Sequence, residues 1–193
     1  MIRMAQAEDI PAILDIYAPY VLNTTATFEY TVPALAEFSV RFADITKQFP
    51  WLVWEEDGKV LGYAYASAPF TRAAYQWCAE PSIYLAPEIQ GKGIGRQLYT
   101  VLEELLARQG YRVFYALITQ ENLASIAFHE KLGYTHTALL PQCGWKFERW
   151  LGVVWMEKRQ NFVDSPSARP ILIGDIVDSN QNLEDIFAIL SLP

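Results

Sequence analysis

The spacing of apolar positions changes period several times along the chain, and each change marks an element. Ile2-Arg3-Met4-Ala5 alternates like a short strand. Ile10, Ile13, Leu14 and Tyr17 then fall at helical spacing behind Glu8 and Asp9, with Pro11 in the first turn. This predicts a helix that ends at Pro19. Asn23–Tyr30 is polar, β-branched and poorly periodic, the pattern of a loop lying over a site. Leu35, Phe38 and Phe42 share a second helical face between Pro33 and Pro50. Trp51–Trp54 and Val60–Ala66 are β-rich and flank Glu56-Asp57-Gly58-Lys59, a strong hairpin signal. After Pro69 and a connector over 70–76, Trp77–Leu85 reads as a strand.

Leu98, Val101, Leu102, Leu105 and Leu106 form one face of a helix that Gly110 terminates. Val113–Ile118 is continuously apolar, as a buried strand is. Asn122–Lys131 predicts a short helix closed by Gly133. Tyr134–Leu139 and Val153–Glu157 are two further strands, joined by a connector over 141–150. No internal repeat is visible. Near Gln160 the composition turns polar and proline-bearing. Beyond it, Ile171–Ile173 is a short apolar run and Leu183, Ile186, Phe187 and Leu190 have helical spacing. The division expected is a domain over 1–159 and an extension over 160–193 that docks on the domain or on a partner chain.

The stretch from Pro81 to Gly110 carries the chemistry. Here a strand leads into Gln90-Gly91-Lys92-Gly93-Ile94-Gly95-Arg96, which opens a helix. Alternate glycines let backbone N–H groups converge, the helix dipole adds positive potential, and Lys92 and Arg96 add full charges. The product is an anion site suited to phosphate. A nucleoside-triphosphate loop needs GxxxxGK[ST], but Gly93 follows Lys92. A dinucleotide fingerprint needs GxGxxG, and counting from Gly91 the last position is Arg96.

Composition narrows the classes. Of 193 residues, 52% are hydrophobic, enough for one domain with a substantial core. The net charge of −7 and the lack of any basic run argue against a nucleic-acid partner. No apolar run has membrane-span length and the N-terminus lacks a signal-peptide core, so a cytoplasmic protein is expected. Two cysteines make no disulfide framework, and without a Cys-x-x-Cys and with only two histidines no metal site is expected. The 14% aromatic content permits an aromatic-lined pocket.

The motif Q-x-x-G-x-G over Gln90–Gly95, followed by Arg96, resembles the pyrophosphate loop of the GNAT superfamily of acetyl-CoA-dependent N-acetyltransferases. The resemblance implies an α+β fold, with a mixed, mostly antiparallel sheet and helices on both faces. It implies acetyl-CoA held by Gln90, Gly91, Lys92, Gly93, Ile94, Gly95 and Arg96, in a gap where strands part after Leu85. The family's preceding strand offers its backbone to the pantetheine arm, here Ile83, Tyr84 and Leu85. Asn122 matches the family's cofactor asparagine, and Ser125 follows in the same segment.

Within the superfamily, four segments resemble the phosphinothricin and methionine sulfoximine N-acetyltransferases. These are Asn23–Ala26, Arg72–Tyr75 with Glu80, Ala124–Ile126 before His129, and Leu140–Trp150. The match spans roughly residues 1–158. It implies a homodimer that acetylates the α-amine of small glutamate-like amino acids. Acetyl transfer needs a base for the amine and a donor for the thiolate. Glu80 among apolar neighbours is the candidate base, acting directly or through water. His129 stands where many relatives carry tyrosine and is the candidate acid. Arg72 is the candidate carboxylate clamp. Ala73, Ala74 and Tyr75 align with substrate-contacting positions, Phe28 and Glu29 are placed to close the pocket, and Lys146 and Arg149 are weaker candidates. Phe70-Thr71 stand where some relatives have Trp-Arg. Two competing readings are acetylation of a protein N-terminus or lysine, and a non-catalytic acyl-CoA sensor.

Overall fold

The computed structural model describes residues 1–160 and 168–177. Its strands are β1 (Ile2–Met4), β2 (Trp51–Glu56), β3 (Lys59–Ser67), β4 (Cys78–Leu85), β5 (Val113–Thr119), β6 (Thr135–Lys146) and β7 (Arg149–Arg159). Its helices are α1 (Ile10–Asn23), α2 (Leu35–Ile45), α3 (Ile94–Gln109), α4 (Leu123–Lys131) and α5 (Ile173–Val177). The strands form one sheet in the order β1-β2-β3-β4-β5-β7-β6. Among the described residues only the β4–β5 pair is parallel, so this is a mixed, mostly antiparallel α+β architecture.

Strand alternation sorts side chains into two cores. Trp51, Val53 and Tyr63 pack with Phe38, Phe42 and Tyr17 from α2 and α1. Leu52, Ala64, Ala79, Phe114 and Ala116 pack on the other face against Leu98, Val101, Leu102, Leu105 and Leu106 of α3. Those five helix residues have no exposed surface at all. Burying each contributes about 1.5–3 kcal/mol, so α3 is the main anchor of the layer that carries the glycine loop.

The Asp57-Gly58 hairpin forms as expected, with both residues at positive φ. Two expectations fail. Helix α1 continues through Pro19 to Asn23. Both Pro19 and Asp15, whose carbonyl loses its partner, are exposed, so water can serve that carbonyl. The two short strands expected around a 141–150 connector are one long hairpin, β6 and β7, turning at Phe147-Glu148 with φ of 51° and 57°. The extra length of β6 is absorbed by irregular pairing between Leu140 and Gly144, where Gln142 has φ 49°.

Residues 168–177 lie against the domain. Trp77 Nε1 donates to the Ala168 carbonyl at 3.0 Å, Gln109 Nε2 donates to the Ile171 carbonyl at 2.8 Å, and Ile173 and Ile176 enter the α3 core. The helical spacing at Leu183–Leu190 lies outside the described residues.

Candidate active site

β4 and β5 pair only at Cys78↔Val113 and Ala79↔Phe114. Beyond Ala79 they diverge, so the gap opens at Glu80, well before the Leu85 expected from sequence. Pro81 explains why. It has no N–H, so its gap-facing edge cannot continue the ladder. Toward β3, Tyr65↔Ser82 and Tyr63↔Tyr84 continue the antiparallel pairing. Alternation therefore turns the backbone groups of Pro81, Ile83 and Leu85 into the gap and those of Ser82 and Tyr84 toward β3. Of the three strand residues expected to offer backbone to a cofactor, Ile83 and Leu85 have that orientation. The Tyr84 peptide does not, and its ring stacks on Tyr63 at 5.3 Å.

The gap is a cleft of about 310 Å³. Glu80 lines it at the fork and Gln90 and Gly95 line it at the start of α3. Ile83, Tyr84, Leu85, Asn122, Ser125 and His129 line it as well. Gly91 and Gly93 have φ of 74° and 81°, a left-handed backbone that side chains resist. Gly93 is the N-cap of α3, whose first-turn N–H groups have no partner within the helix. Gly95 serves packing, since a Cβ there would stand 3.2 Å from Leu85 Cδ1. Lys92 and Arg96 are exposed and make no ion pair among the described residues. Ile94 is buried under this turn. The loop thus retains free donors and free cations.

Glu80 is half-buried, and desolvation pushes its carboxyl above the usual range. Its side chain lies on the α1–α2 face of the sheet, with Ser82 and Tyr84. His129 approaches from the α4 side and is 4% exposed. Its Nδ1 lies 2.8 Å from the Ser125 carbonyl, which can only accept, so Nδ1 carries the proton. Nε2 then accepts from Tyr99 Oη at 2.8 Å. Burial pushes the imidazole below its usual value and keeps it neutral. Both ring nitrogens are engaged, so His129 is not a bare donor at the cleft wall. Asn122 Oδ1 accepts from Ser125 N at 3.1 Å, an N-cap that coexists with a place in the cleft.

The expected acceptor-side residues do not line the cleft. Arg72, Ala73, Ala74 and Tyr75 are exposed, on a turn where Phe70 packs against Tyr75 and Trp155. Phe28 sits over Gly144, where a Cβ would meet its ring at 2.1 Å. Glu29 pairs with Arg41 at 2.7 Å. Lys146 is buried and donates to the Val21 and Thr27 carbonyls, and Arg149 pairs with Glu121. Two residues that periodicity could not single out belong to the site. Tyr99 holds His129, and Tyr20 closes the mouth of the gap. The Tyr20 hydroxyl donates to the Leu85 carbonyl at 2.6 Å and accepts from Leu85 N at 3.2 Å and Gln90 Nε2 at 3.1 Å. A second cavity, of about 680 Å³, lies beyond Tyr20, Leu85 and Gln90.

The family model for an acetyltransferase (GNAT) domain matches residues 2–155. The chain is 37% identical over 166 residues to a phosphinothricin N-acetyltransferase of Alcaligenes faecalis, covering 85% of this chain and 84% of that protein. It is 38% identical over 168 residues to an L-methionine sulfoximine/L-methionine sulfone acetyltransferase of Salmonella typhimurium, covering 86% and 98%. The crystal structure of a phosphinothricin acetyltransferase from Sinorhizobium meliloti in complex with acetyl-CoA is 39% identical, with a TM-score of 0.81 over 89% of this chain and 92% of that one.

Proposed function

This chain belongs to the GNAT acetyltransferase family, and we propose that it moves the acetyl group of acetyl-CoA to the α-amine of a small acidic amino acid or analogue, of the phosphinothricin or methionine sulfoximine kind. Membership makes it an acetyl-CoA-dependent N-acetyltransferase. The observation that carries the rest is one cleft bounded by a half-buried carboxylate, Glu80, at one end and by the Gln90–Gly95 turn at the other.

The residues present fit the cofactor. Unpartnered N–H groups at the start of α3, the open left-handed glycines 91 and 93, Lys92 and Arg96 suit a diphosphate. Ile83 turns a peptide N–H and carbonyl into the gap, where an amide-bearing arm can pair as a strand would. When bound, acetyl-CoA supplies the activated acetyl group. Glu80 takes a proton from the incoming ammonium, directly or through water, so that a neutral amine can attack. Its raised proton affinity suits it to that task near neutral pH. Asn122 and Ser125 hold the α4 side of the cleft. Arg72 and Tyr75, on the turn preceding β4, are the proposed acceptor contacts, reached by substrate outside the cleft proper.

We place the enzyme in the cytoplasm as a homodimer. Cys78 and Cys143 are free thiols, as a reducing compartment allows. Leu139, Trp145, Phe147 and Trp150 stand exposed on the β6–β7 hairpin, a surface suited to a second copy. Thiol release from acetyl-CoA with a panel of amines tests the function. Phosphinothricin, methionine sulfoximine or a glutamate-like acid should give the fastest release. Preference for a peptide amine contradicts the substrate class, and no acceleration by any amine contradicts catalysis.

A further inference from the structure

A line of buried polar side chains runs from the cleft wall through the α3–α4 layer to the outside. It starts at Ser125, which lines the cleft and whose Oγ lies 3.5 Å from His129 Nδ1. His129 Nε2 meets Tyr99 Oη at 2.8 Å. The Tyr134 ring centroid lies 6.2 Å from that of Tyr99 and 5.9 Å from Lys158 Nζ, the group that holds Glu103. Glu103 Oε2 accepts from Lys158 Nζ at 2.5 Å, and the Lys158 side chain is 24% exposed. His129, Tyr99, Tyr134 and Glu103 are each buried by nine-tenths or more.

Packing alone does not call for these groups. The Tyr134 hydroxyl and Glu103 Oε1 are buried and close no hydrogen bond among the described residues. An unpaired buried hydroxyl costs about 1–3 kcal/mol, which phenylalanine at 134 would avoid. Glu103 and Lys158 could likewise be an apolar pair at no net cost. What the arrangement provides is a succession of exchangeable protons with two open links, from Tyr134 to Tyr99 and from Tyr134 to Glu103. Small side-chain rotations of Tyr134 and Glu103 would close both.

We infer that Ser125, His129, Tyr99, Tyr134, Glu103 and Lys158 form a proton path that delivers a proton from solvent behind α3 to the thiolate leaving in the cleft. This rests on the acetyl-transfer reading above. In balance, Glu80 takes one proton from the ammonium, releases it to water in the open cleft, and takes the second from the amine nitrogen as the N–C bond forms. The thiolate released by C–S cleavage gains one through Ser125 Oγ. Each member of the path passes one proton inward, and Lys158 is reprotonated from water. No group is oxidised or reduced. Glu80 and the path serve the two ends of the reaction from opposite sides of β4.

The test uses Tyr134→Phe, which removes an oxygen that closes no hydrogen bond, with Glu103→Gln as the second variant. With coenzyme A filling the cleft, NMR of the ¹⁵N-labelled histidine ring reports exchange of the His129 N–H with water. In wild type the ring should appear as the Nδ1–H form. In both variants exchange should slow by about tenfold or more, and kcat should fall by about tenfold or more at unchanged KM for acetyl-CoA, the scale of a lost proton-transfer partner. Exchange and kcat equal to wild type in both variants overturn the path, even if stability changes. Wild-type protein that acetylates no amine overturns the functional reading instead, and the exchange comparison still decides the path.

Discussion

The Tyr20 hydroxyl occupies both gap-facing main-chain groups of Leu85, donating to its carbonyl at 2.6 Å and accepting from its N–H at 3.2 Å. Those are the groups that an extended, amide-bearing cofactor arm would need at the mouth of the cleft. On the proposed cofactor path, Tyr20 competes with the cofactor for Leu85. Tyr20→Phe should tighten coenzyme A binding by roughly fivefold, the equivalent of about 1 kcal/mol for a net hydrogen bond no longer broken. Calorimetric titration measures this. Weaker binding in the variant would mean that the phenol stays in place and contacts the cofactor.

Glu80→Gln separates catalysis from folding. Loss of the proposed base should lower kcat by about 10²–10⁴-fold. Stability should move the other way. The Glu80 carboxyl binds its proton more tightly folded than unfolded, so ionising it works against the fold. The wild type loses stability as pH rises from the unfolded carboxyl value through the raised folded value. Above that window Glu80→Gln should melt at a higher temperature than wild type, and below it the two should converge. A variant less stable at pH 8 would show that the ionised carboxylate has a partner in the fold.

At Gly93 space is open but φ is 81°. Gly93→Ala should cost about 1–2 kcal/mol of stability from the left-handed backbone alone. If the loop relaxes to relieve that strain, coenzyme A binding should weaken by about tenfold, because the N–H groups no longer converge. Melting and titration are read together. Intact affinity would remove the glycine loop from the anion site.

Arg72 is exposed and outside the cleft, so the role proposed for it is toward the acceptor alone. Arg72→Ala should raise KM for the acidic amino acid by about tenfold, as expected for a charged hydrogen bond worth about 1.5 kcal/mol, and leave KM for acetyl-CoA unchanged. Equal effects on both substrates, measured by initial rates, would contradict the clamp.

Local signals in the sequence revealed the frame but not its joints. The α3 stripe from Leu98 to Leu106 and the Asp57-Gly58 turn are readable because period and turn chemistry are local. Pro19 misled because its cost depends on whether the orphaned carbonyl meets water, which only the folded helix decides. The Phe147-Glu148 turn carries no glycine or asparagine, so the long hairpin had no turn signal. Glu80 and His129 were legible as candidates, yet their placement on opposite sides of β4 comes from the pleat and from Pro81. Tyr99 and Tyr20 were invisible as site residues. Each sits on a helix as one more aromatic position, and its partner lies 30 or 65 residues away in sequence.

The central claim is that the turn from Gly91 to Arg96 and the gap below it hold acetyl-CoA with its acetyl end beside Glu80. A crystal structure with acetyl-CoA bound tests it directly. The diphosphate should sit on the N–H groups of that turn, the pantetheine arm should pair with Ile83, and the thioester should lie next to the Glu80 carboxylate. A diphosphate held elsewhere, or a gap that stays closed with cofactor present, would contradict the account.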